Sequence, residues 1–155
     1  MSTLSLDELF DGVTFTQKFR IDKNLNIIHI RPWIYKEGTL ADGDFRCQVY
    51  LDGTLVNEAT INYTNINAAF TETYAHGFIR FDFDSLPLRL KDTELETEYE
   101  LRFEMINHTT DMNNYLAIVR NWDLKIYTTY GDVVNGEGVN DMIEPAGLEF
   151  YEIKI

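Results

Sequence analysis

The sequence predicts an all-β protein made of two antiparallel sheets packed face to face, a β-sandwich of jelly-roll-like type. In the stretch Thr97–Asn107, Tyr99, Leu101, Phe103 and Met105 alternate with polar residues, most of them charged. A period of two is typical of a strand with one buried face and one solvated face. Similar stretches recur between turn signals, and no long amphipathic helix separates them. Aromatic residues make up 14% of the chain, which also favours strands.

The N-terminal residues 1–12 are expected to form a short helix or arm in front of one sandwich domain, residues 13–155. Ser5 and Glu8 have the spacing of a capping box, which predicts a helix over Leu6–Phe10. A chain of 155 residues is long enough to bury a core and corresponds to one domain.

From residue 13 onward, apolar residues recur at every second position, and this pattern predicts a succession of short strands. In order they are Val13–Ile21, Asn26–Tyr35, Asp44–Leu51, Thr54–Tyr63, Gly77–Asp84, Leu86–Leu90, Thr97–Asn107, Tyr115–Val119, Trp122–Tyr130 and Leu148–Ile155. Asp52-Gly53 stands between two of these strands and predicts a two-residue hairpin turn, since both turn positions favour positive φ. Pro32 cannot donate to a ladder, so we expect an edge, a bulge or a strand end there.

The segments between the strands are predicted to be mostly loops. One helical turn is expected near Ala68–Phe70, and His108–Asn114 is a polar loop. Gly131–Gly147 is expected to be a long glycine-rich loop. The alternation of the last strand slips between Phe150 and Tyr151, which predicts a β-bulge.

The charge balance bears on the classes of partner. The chain has 26 acidic and 13 basic residues, a net charge of −13. Phosphate backbones and anionic lipids attract clustered Lys and Arg, so we expect neither nucleic acid nor membrane partners. No apolar run approaches the roughly 20 residues needed to cross a bilayer. The first residues show no secretory signal pattern.

Catalytic residues are not predicted, and we do not expect an enzyme. The three histidines, His29, His76 and His108, are far apart in the sequence, and no Gly-x-Ser-x-Gly motif is present. The single cysteine, Cys47, alternates with apolar residues in a predicted strand and is interpreted as a buried core residue. Two carboxylates would suffice for a glycan-cleaving enzyme, and this stays a minor alternative.

No cofactor is expected, although a calcium ion remains an open alternative. Histidine and cysteine do not occur at the spacings of a transition-metal site. Calcium requires only oxygen ligands, and the acidic residues of the loop Gly131–Gly147 could supply them. The candidates are Asp132, Glu137, Asp141 and Glu144. The alternative is a plain acidic loop.

Aromatic residues near strand ends or opposite the predicted core are the candidate interaction residues. They are Trp33, Tyr35, Tyr50, Tyr127 and Tyr130. Exposed rings can stack on sugar faces or anchor a protein partner. The alternative is that most of these rings pack in or around the core.

Two stretches carry a resemblance to known families. The chain is similar to jelly-roll sandwiches of the carbohydrate-binding and galactose-binding-like type, which have a Tyr-x-Leu-x-Phe strand and a late Asp-Leu-x-Ile-Tyr strand. The matching residues are Tyr99, Leu101 and Phe103 in the first, and Asp123, Leu124, Ile126 and Tyr127 in the second. In size, acidity and low cysteine content, the chain also resembles accessory proteins of tailed-phage virions.

These resemblances imply two functions. The leading hypothesis is a non-enzymatic module that docks on protein neighbours, either copies of itself or virion proteins, as a capsid decoration or tail-attachment protein. Its expected location is then the virion, or otherwise the cytoplasm. The second hypothesis is a carbohydrate-binding module with an aromatic platform, with or without a calcium ion.

Overall fold

A computed structural model of the chain describes residues 4–10, 12–19, 25–82, 88–90, 99–121, 126–128, 133–134 and 148–152. Strands dominate this part of the chain. In order, the elements are β1 (Leu4–Glu8), β2 (Thr14–Phe19), β3 (Leu25–Glu37), β4 (Asp44–Leu51), β5 (Thr54–Asn62), α1 (Tyr63–Ala69), β6 (Tyr74–Phe78), β7 (Phe81–Asp82), β8 (Leu88–Leu90), β9 (Tyr99–Ile106), β10 (Tyr115–Asn121), β11 (Ile126–Thr128), β12 (Val133–Val134) and β13 (Leu148–Glu152).

The strands form two sheets, which confirms the predicted all-β class. The smaller sheet has the order β2-β9-β4-β5, and its pairs are antiparallel. The larger sheet is built around the long strand β3, with β10 and β13 on one edge and β6, β7 and β8 on the other. β1 extends it beyond β10, while β11 and β12 extend it beyond β13, where β11 and β13 run parallel. Such an arrangement is compatible with a jelly-roll-like fold.

Aromatic rings from both sheets meet in the core. Phe81 of the larger sheet lies 4.9 Å from Phe45 and 6.0 Å from Phe103 of the smaller sheet, measured between ring centroids. The alternating strand β9 buries one face as predicted, because Leu101 and Phe103 are 0% exposed. Cys47 is also 0% exposed, which confirms its interpretation as a core residue, and burial raises the pKa of its thiol.

The predicted N-terminal helix is wrong, because Leu4–Glu8 forms the strand β1 instead. This strand pairs antiparallel with β10, and the backbone N–H of Leu9 donates to the Leu116 carbonyl over 2.8 Å. A helix of about five residues leaves most of its terminal backbone groups unpaired and is unstable alone. Pairing with the edge of β10 satisfies those groups, so the tertiary partner decides against the capping-box pattern.

Pro32 also differs from expectation, since it lies inside β3 rather than at an edge or strand end. Its carbonyl oxygen accepts from the N–H of Ile79 over 3.1 Å. The nitrogen and carbonyl of one residue point to the same edge of a strand, so the proline nitrogen faces this partner too. At that position the partner strand is interrupted, with β6 ending at Phe78 and β7 beginning at Phe81. The N–H that proline lacks therefore falls where the hydrogen-bonded ladder between β3 and its partners is interrupted.

The turn predictions agree more closely. Asp52 and Gly53 have φ values of 49° and 79°, which confirms the predicted hairpin turn with two positive φ angles. The helical turn predicted near residue 68 is the helix α1, whose N-cap residue Asn62 accepts from the N–H of Thr64. The pairing of the last strand does shift, one residue later than predicted, between Tyr151 and Glu152, but the extra residue, Ile28, belongs to β3 rather than to the last strand.

Parts of the predicted elements lie outside the described residues. Of the predicted strand Trp122–Tyr130, the residues Ile126–Thr128 are described and form β11. Within the predicted loop Gly131–Gly147, the residues Val133–Val134 form the strand β12, so the loop prediction is wrong at these two positions.

Candidate functional site

Three strands of the larger sheet carry aromatic side chains on the face that points away from the core. Along β3, Ile34 and Lys36 are buried, so Trp33, Tyr35 and Glu37 point to the opposite, outer side. The neighbouring strands β6, β10 and β1 are paired with β3 or with each other, and their outward residues extend the same surface. We name this surface the aromatic face, and it consists of Leu6, Phe10, Trp33, Tyr35, Glu37, Tyr74, His76, Phe78 and Tyr115.

At one end of the aromatic face, Trp33 is oriented by its neighbours on β6. Its ring centroid lies 6.0 Å from that of Phe78 with an interplanar angle of 34°. The indole Nε1 donates to Nδ1 of His76 over 3.3 Å. The guanidinium carbon of Arg31 lies 5.4 Å from the Phe78 ring centroid, a cation–π distance. These contacts hold the rings of Trp33 and Phe78 in fixed orientations while both stay partly exposed.

At the other end, a carboxylate lies among tyrosines. Glu37 pairs in register with Tyr74 on one side and with Tyr115 on the other. The Tyr35 hydroxyl donates to Glu37 Oε1 over 3.4 Å, and the rings of Tyr35 and Tyr115 lie 6.3 Å apart. Phe10 contacts the Tyr115 ring edge-on at 5.5 Å and 69°. This end of the aromatic face therefore combines partly exposed rings with the negative charge of Glu37.

The charge of Glu37 acts on both tyrosines that bond to it. Burial raises the pKa of Tyr115 to about 12, with a further contribution from its hydrogen bond to Glu37. Burial also raises the pKa of Tyr35, and the nearby Glu37 charge adds to this effect. Both phenols thus stay protonated near neutral pH and act as hydrogen-bond donors toward the carboxylate.

The structure places the predicted interaction residues on different surfaces. Trp33 and Tyr35 come together on the aromatic face. Tyr50 lies on the outer face of the smaller sheet instead, with the guanidinium carbon of Arg102 3.8 Å from its ring centroid. The side chain of Tyr127 and the whole of Tyr130 lie outside the described residues, as do the calcium candidates Asp132, Glu137, Asp141 and Glu144.

Sequence reasoning missed most members of the aromatic face. Tyr74, His76 and Phe78 alternate along β6, and this signal could have extended the predicted strand toward the N-terminus. Phe10 and Tyr115 carried no signal of their own. They join the surface because β1 and β10 are paired beside β3, which is a consequence of tertiary structure.

A second cluster of polar groups lies where the loop 38–43 meets the loop 107–114. Asp42 accepts hydrogen bonds from the N–H and the hydroxyl of Thr109, at 2.9 and 2.6 Å, and lies 3.1 Å from Nδ1 of His108. These bonds from Thr109 hold the pKa of Asp42 below its usual value. Nε2 of His108 is buried and has no hydrogen-bond partner among the residues that the structure describes.

This loop cluster is suited to joining the two loops rather than to proton transfer. A general base must reach the proton it abstracts, and the buried Nε2 of His108 is closed to a substrate. A surface cavity of about 440 Å³ adjoins the cluster and is lined by Asp42, Asp111 and neighbouring loop residues. Asp111 is itself engaged, since it accepts from the N–H of Asn113 and from the Asn114 amide, both at 2.8 Å.

Within the described ranges, no three His, Cys, Asp or Glu side chains are grouped so that they could hold a metal ion. The same residues contain no helix of the length and apolarity needed to cross a bilayer. No protein-family model and no curated protein matches the chain. The resemblance to known jelly-roll sandwiches is therefore limited to the architecture, in which two antiparallel sheets pack face to face.

Proposed function

We propose that the protein is a non-enzymatic binding module that docks on protein neighbours in a larger assembly through the aromatic face. The assembly we propose is a tailed-phage particle, in which the module serves as a capsid decoration or tail-attachment protein. The observation that carries the proposal is the contiguous row of partly exposed rings around Trp33, Tyr35 and Tyr74 on one sheet face.

Physical chemistry supports this surface as the centre of a contact. Tyrosine and tryptophan combine a large apolar body with a polar tip, and they are enriched among the residues that dominate binding energy. Here Tyr74 is 65% exposed and Leu6 is 40% exposed, so apolar surface is available to a partner. Fully burying one large apolar side chain contributes about 1.5–3 kcal/mol before the costs of association.

The dimensions of the aromatic face indicate that a stable contact must extend beyond it. Its four strands span about 14 Å across the sheet, and its length along β3 is about 13 Å. That footprint is smaller than the roughly 800 Å² that each partner contributes to a typical stable interface. Rings that dominate binding usually lie at the centre of such a contact, so neighbouring elements would form its rim.

The N-terminal arm, residues 1–12, contains the strand β1 and is therefore part of the larger sheet. Deleting residues 1–12 would remove the strand that pairs with β10 and expose the edge of the larger sheet. The deletion would therefore alter the fold as well as the surface. Point substitutions on the aromatic face are the cleaner test.

The test uses a photo-crosslinking amino acid at Tyr74, introduced in cells that produce the native assembly. We expect a crosslink to one protein that co-sediments with the assembled particle, and we expect Trp33→Ala to abolish it. The matched control carries the crosslinker at Leu55, which is 44% exposed on β5 of the smaller sheet. Equal crosslinking from Tyr74 and Leu55, or crosslinks that survive Trp33→Ala, would contradict the proposal.

A carbohydrate-binding module is the second candidate, favoured by the ring pair Trp33–Phe78 on the same face as the acceptor oxygens of Glu37, which lie at its other end. Aromatic rings can pack on the apolar faces of sugars while a carboxylate accepts from their hydroxyls. A glycan array followed by calorimetric titration, with and without EDTA, tests it. Saturable sugar binding that is lost in Trp33→Ala and kept in Tyr50→Ala would favour this candidate over protein docking.

A further inference from the structure

Two carboxylates beside the rings of the aromatic face differ from Glu100 and Glu104 of the smaller sheet in their partners. Glu37 accepts hydrogen bonds from the hydroxyls of Tyr35 and Tyr115. Glu8 lies on the same surface, opposite Ala117, and is exposed. Among the residues that the structure describes, neither Glu37 nor Glu8 forms an ion pair with Lys, Arg or His. Within the described part of the chain, two negative charges thus lie beside exposed rings without a cationic partner.

On the opposite side of the molecule, a tyrosine and a glutamate occur together with an arginine. On the outer face of the smaller sheet, the guanidinium carbon of Arg102 lies 3.8 Å from the ring centroid of Tyr50. Arg102 also pairs with Glu100, with both its Nε and its Nη2 at 2.8 Å from Oε2. A tyrosine ring and a glutamate carboxylate thus hold one guanidinium between them. Glu37 and its tyrosines provide the rings and the carboxylate, and none of the described cationic side chains pairs with that carboxylate.

We propose that Glu37, with the rings of Tyr35, Tyr74 and Tyr115, receives a basic side chain, Lys or Arg, from the protein neighbour. This inference rests on the proposed docking function and specifies the chemistry of the partner. A cation over an aromatic face is attracted by the ring quadrupole, and a carboxylate adds a charge-assisted hydrogen bond. The net charge of −13 on the chain further favours a basic partner surface.

The state of the tyrosines is consistent with this role. The pKa of Tyr115 is raised to about 12 by burial and by Glu37. A cation bound beside Glu37 would offset that negative charge and lower the pKa of Tyr115.

The experiment is an NMR titration of the full chain with small probes, observing the ring resonances of Tyr35, Tyr74 and Tyr115. The basic probes are Nα-acetyl-argininamide and Nα-acetyl-lysinamide, and Nα-acetyl-glutaminamide is the neutral control. We expect at least one basic probe to shift the rings saturably, with an affinity that falls as salt is added. Glu37→Gln should weaken this binding about tenfold.

Glu58→Gln is the matched control, because it makes the same chemical change on the smaller sheet, and it should leave the titration unchanged. The dispersion of the amide and ring resonances of Glu37→Gln, compared with that of the wild type in the same titration, shows whether the glutamate variant is folded. Equal shifts from the glutaminamide probe, or unchanged binding in Glu37→Gln, would overturn the proposal. So would ring shifts produced by tetramethylammonium and by neither amino-acid probe, since they would indicate a free quaternary ammonium ligand.

The outcome can be separated from the proposed docking function. If Tyr74 crosslinks to the particle protein with the same yield in Glu37→Gln as in the wild type, the docking surface stands and the basic side chain is excluded. If the crosslink is absent in the wild type, the docking function itself fails, whatever the probes show.

Discussion

The outer faces of the two sheets are built on the same alternation, and yet Glu37 on the larger sheet and the glutamates of β9 on the smaller sheet have different kinds of partner. On the smaller sheet, Glu104 pairs with Arg46, and Glu100 pairs with both Arg102 and Lys18. Glu58 of the same face accepts from the Gln48 amide over 2.9 Å. On the larger sheet, the outward carboxylate of Glu37 has tyrosine hydroxyls as its described partners.

This difference indicates which face is available to a partner. Charges that are paired within the molecule must be separated or desolvated before a partner can use them, and that opposes binding. A carboxylate without a cation beside partly exposed rings gains an interaction when a partner brings one. The smaller sheet is therefore expected to face solvent, and the larger sheet to face the neighbour.

The largest expected effect comes from the core that both faces share. Phe103→Ala removes a fully buried ring that contacts Phe45 of its own sheet and Phe81 of the other sheet. We expect a loss of about 3–5 kcal/mol in the free energy of unfolding, because the cavity adds to the lost transfer energy. Urea denaturation measures this loss. Trp33→Ala, on the partly exposed aromatic face, should cost about 1 kcal/mol, and a larger cost than Phe103→Ala would show that the ring is a core residue.

Two substitutions with intermediate expected effects on the free energy of unfolding compare the two faces directly. Arg46→Ala breaks the pair with Glu104, whose side chains are 26% and 19% exposed, and should cost about 1 kcal/mol. Glu37→Gln removes a carboxylate without an ion-pair partner among the described residues and should change stability by less than about 0.5 kcal/mol. Thermal denaturation at low and high salt measures both variants. A larger loss in Glu37→Gln than in Arg46→Ala would reverse the comparison.

The smallest expected effect concerns the loop cluster and appears in the pH dependence. Hydrogen bonds from Thr109 hold the pKa of Asp42 below its usual value of 3.8. The charged form therefore contributes stability that is fully present above that value and is lost as pH falls through the lowered pKa of the folded state. Asp42→Asn should be less stable than the wild type at neutral pH, and the difference should shrink below about pH 4.

Urea denaturation at a series of pH values measures the profile of Asp42→Asn. Asp52→Asn serves as the control, because Asp52 is exposed at the hairpin turn and asparagine tolerates its positive φ of 49°. A gap between wild type and Asp42→Asn that stays constant down to pH 3 would contradict the role given to the carboxylate.

Local patterns predicted two rings of the candidate site and missed most of its other members. The alternation of Trp33 and Tyr35 with Ile34 and Lys36 predicts that both rings point away from the core, and they do. Tyr50 has an equivalent pattern but belongs to the other sheet, where Arg102 covers its ring. A period of two assigns a side chain to one face of its own strand, and it carries no information about which strand lies beside it.

The sequence alone determined the strands, the turn at Asp52-Gly53 and the buried side of β9, because these depend on side chains within a few residues of each other. Only the tertiary structure decided that residues 4–8 form a strand, since a helix and a strand are both open to so short a segment until β10 offers its edge. The tertiary structure also determined that Tyr74, Glu37 and Tyr115 lie side by side. Contacts between residues tens of positions apart depend on the order of strands in the sheet, which no local pattern encodes.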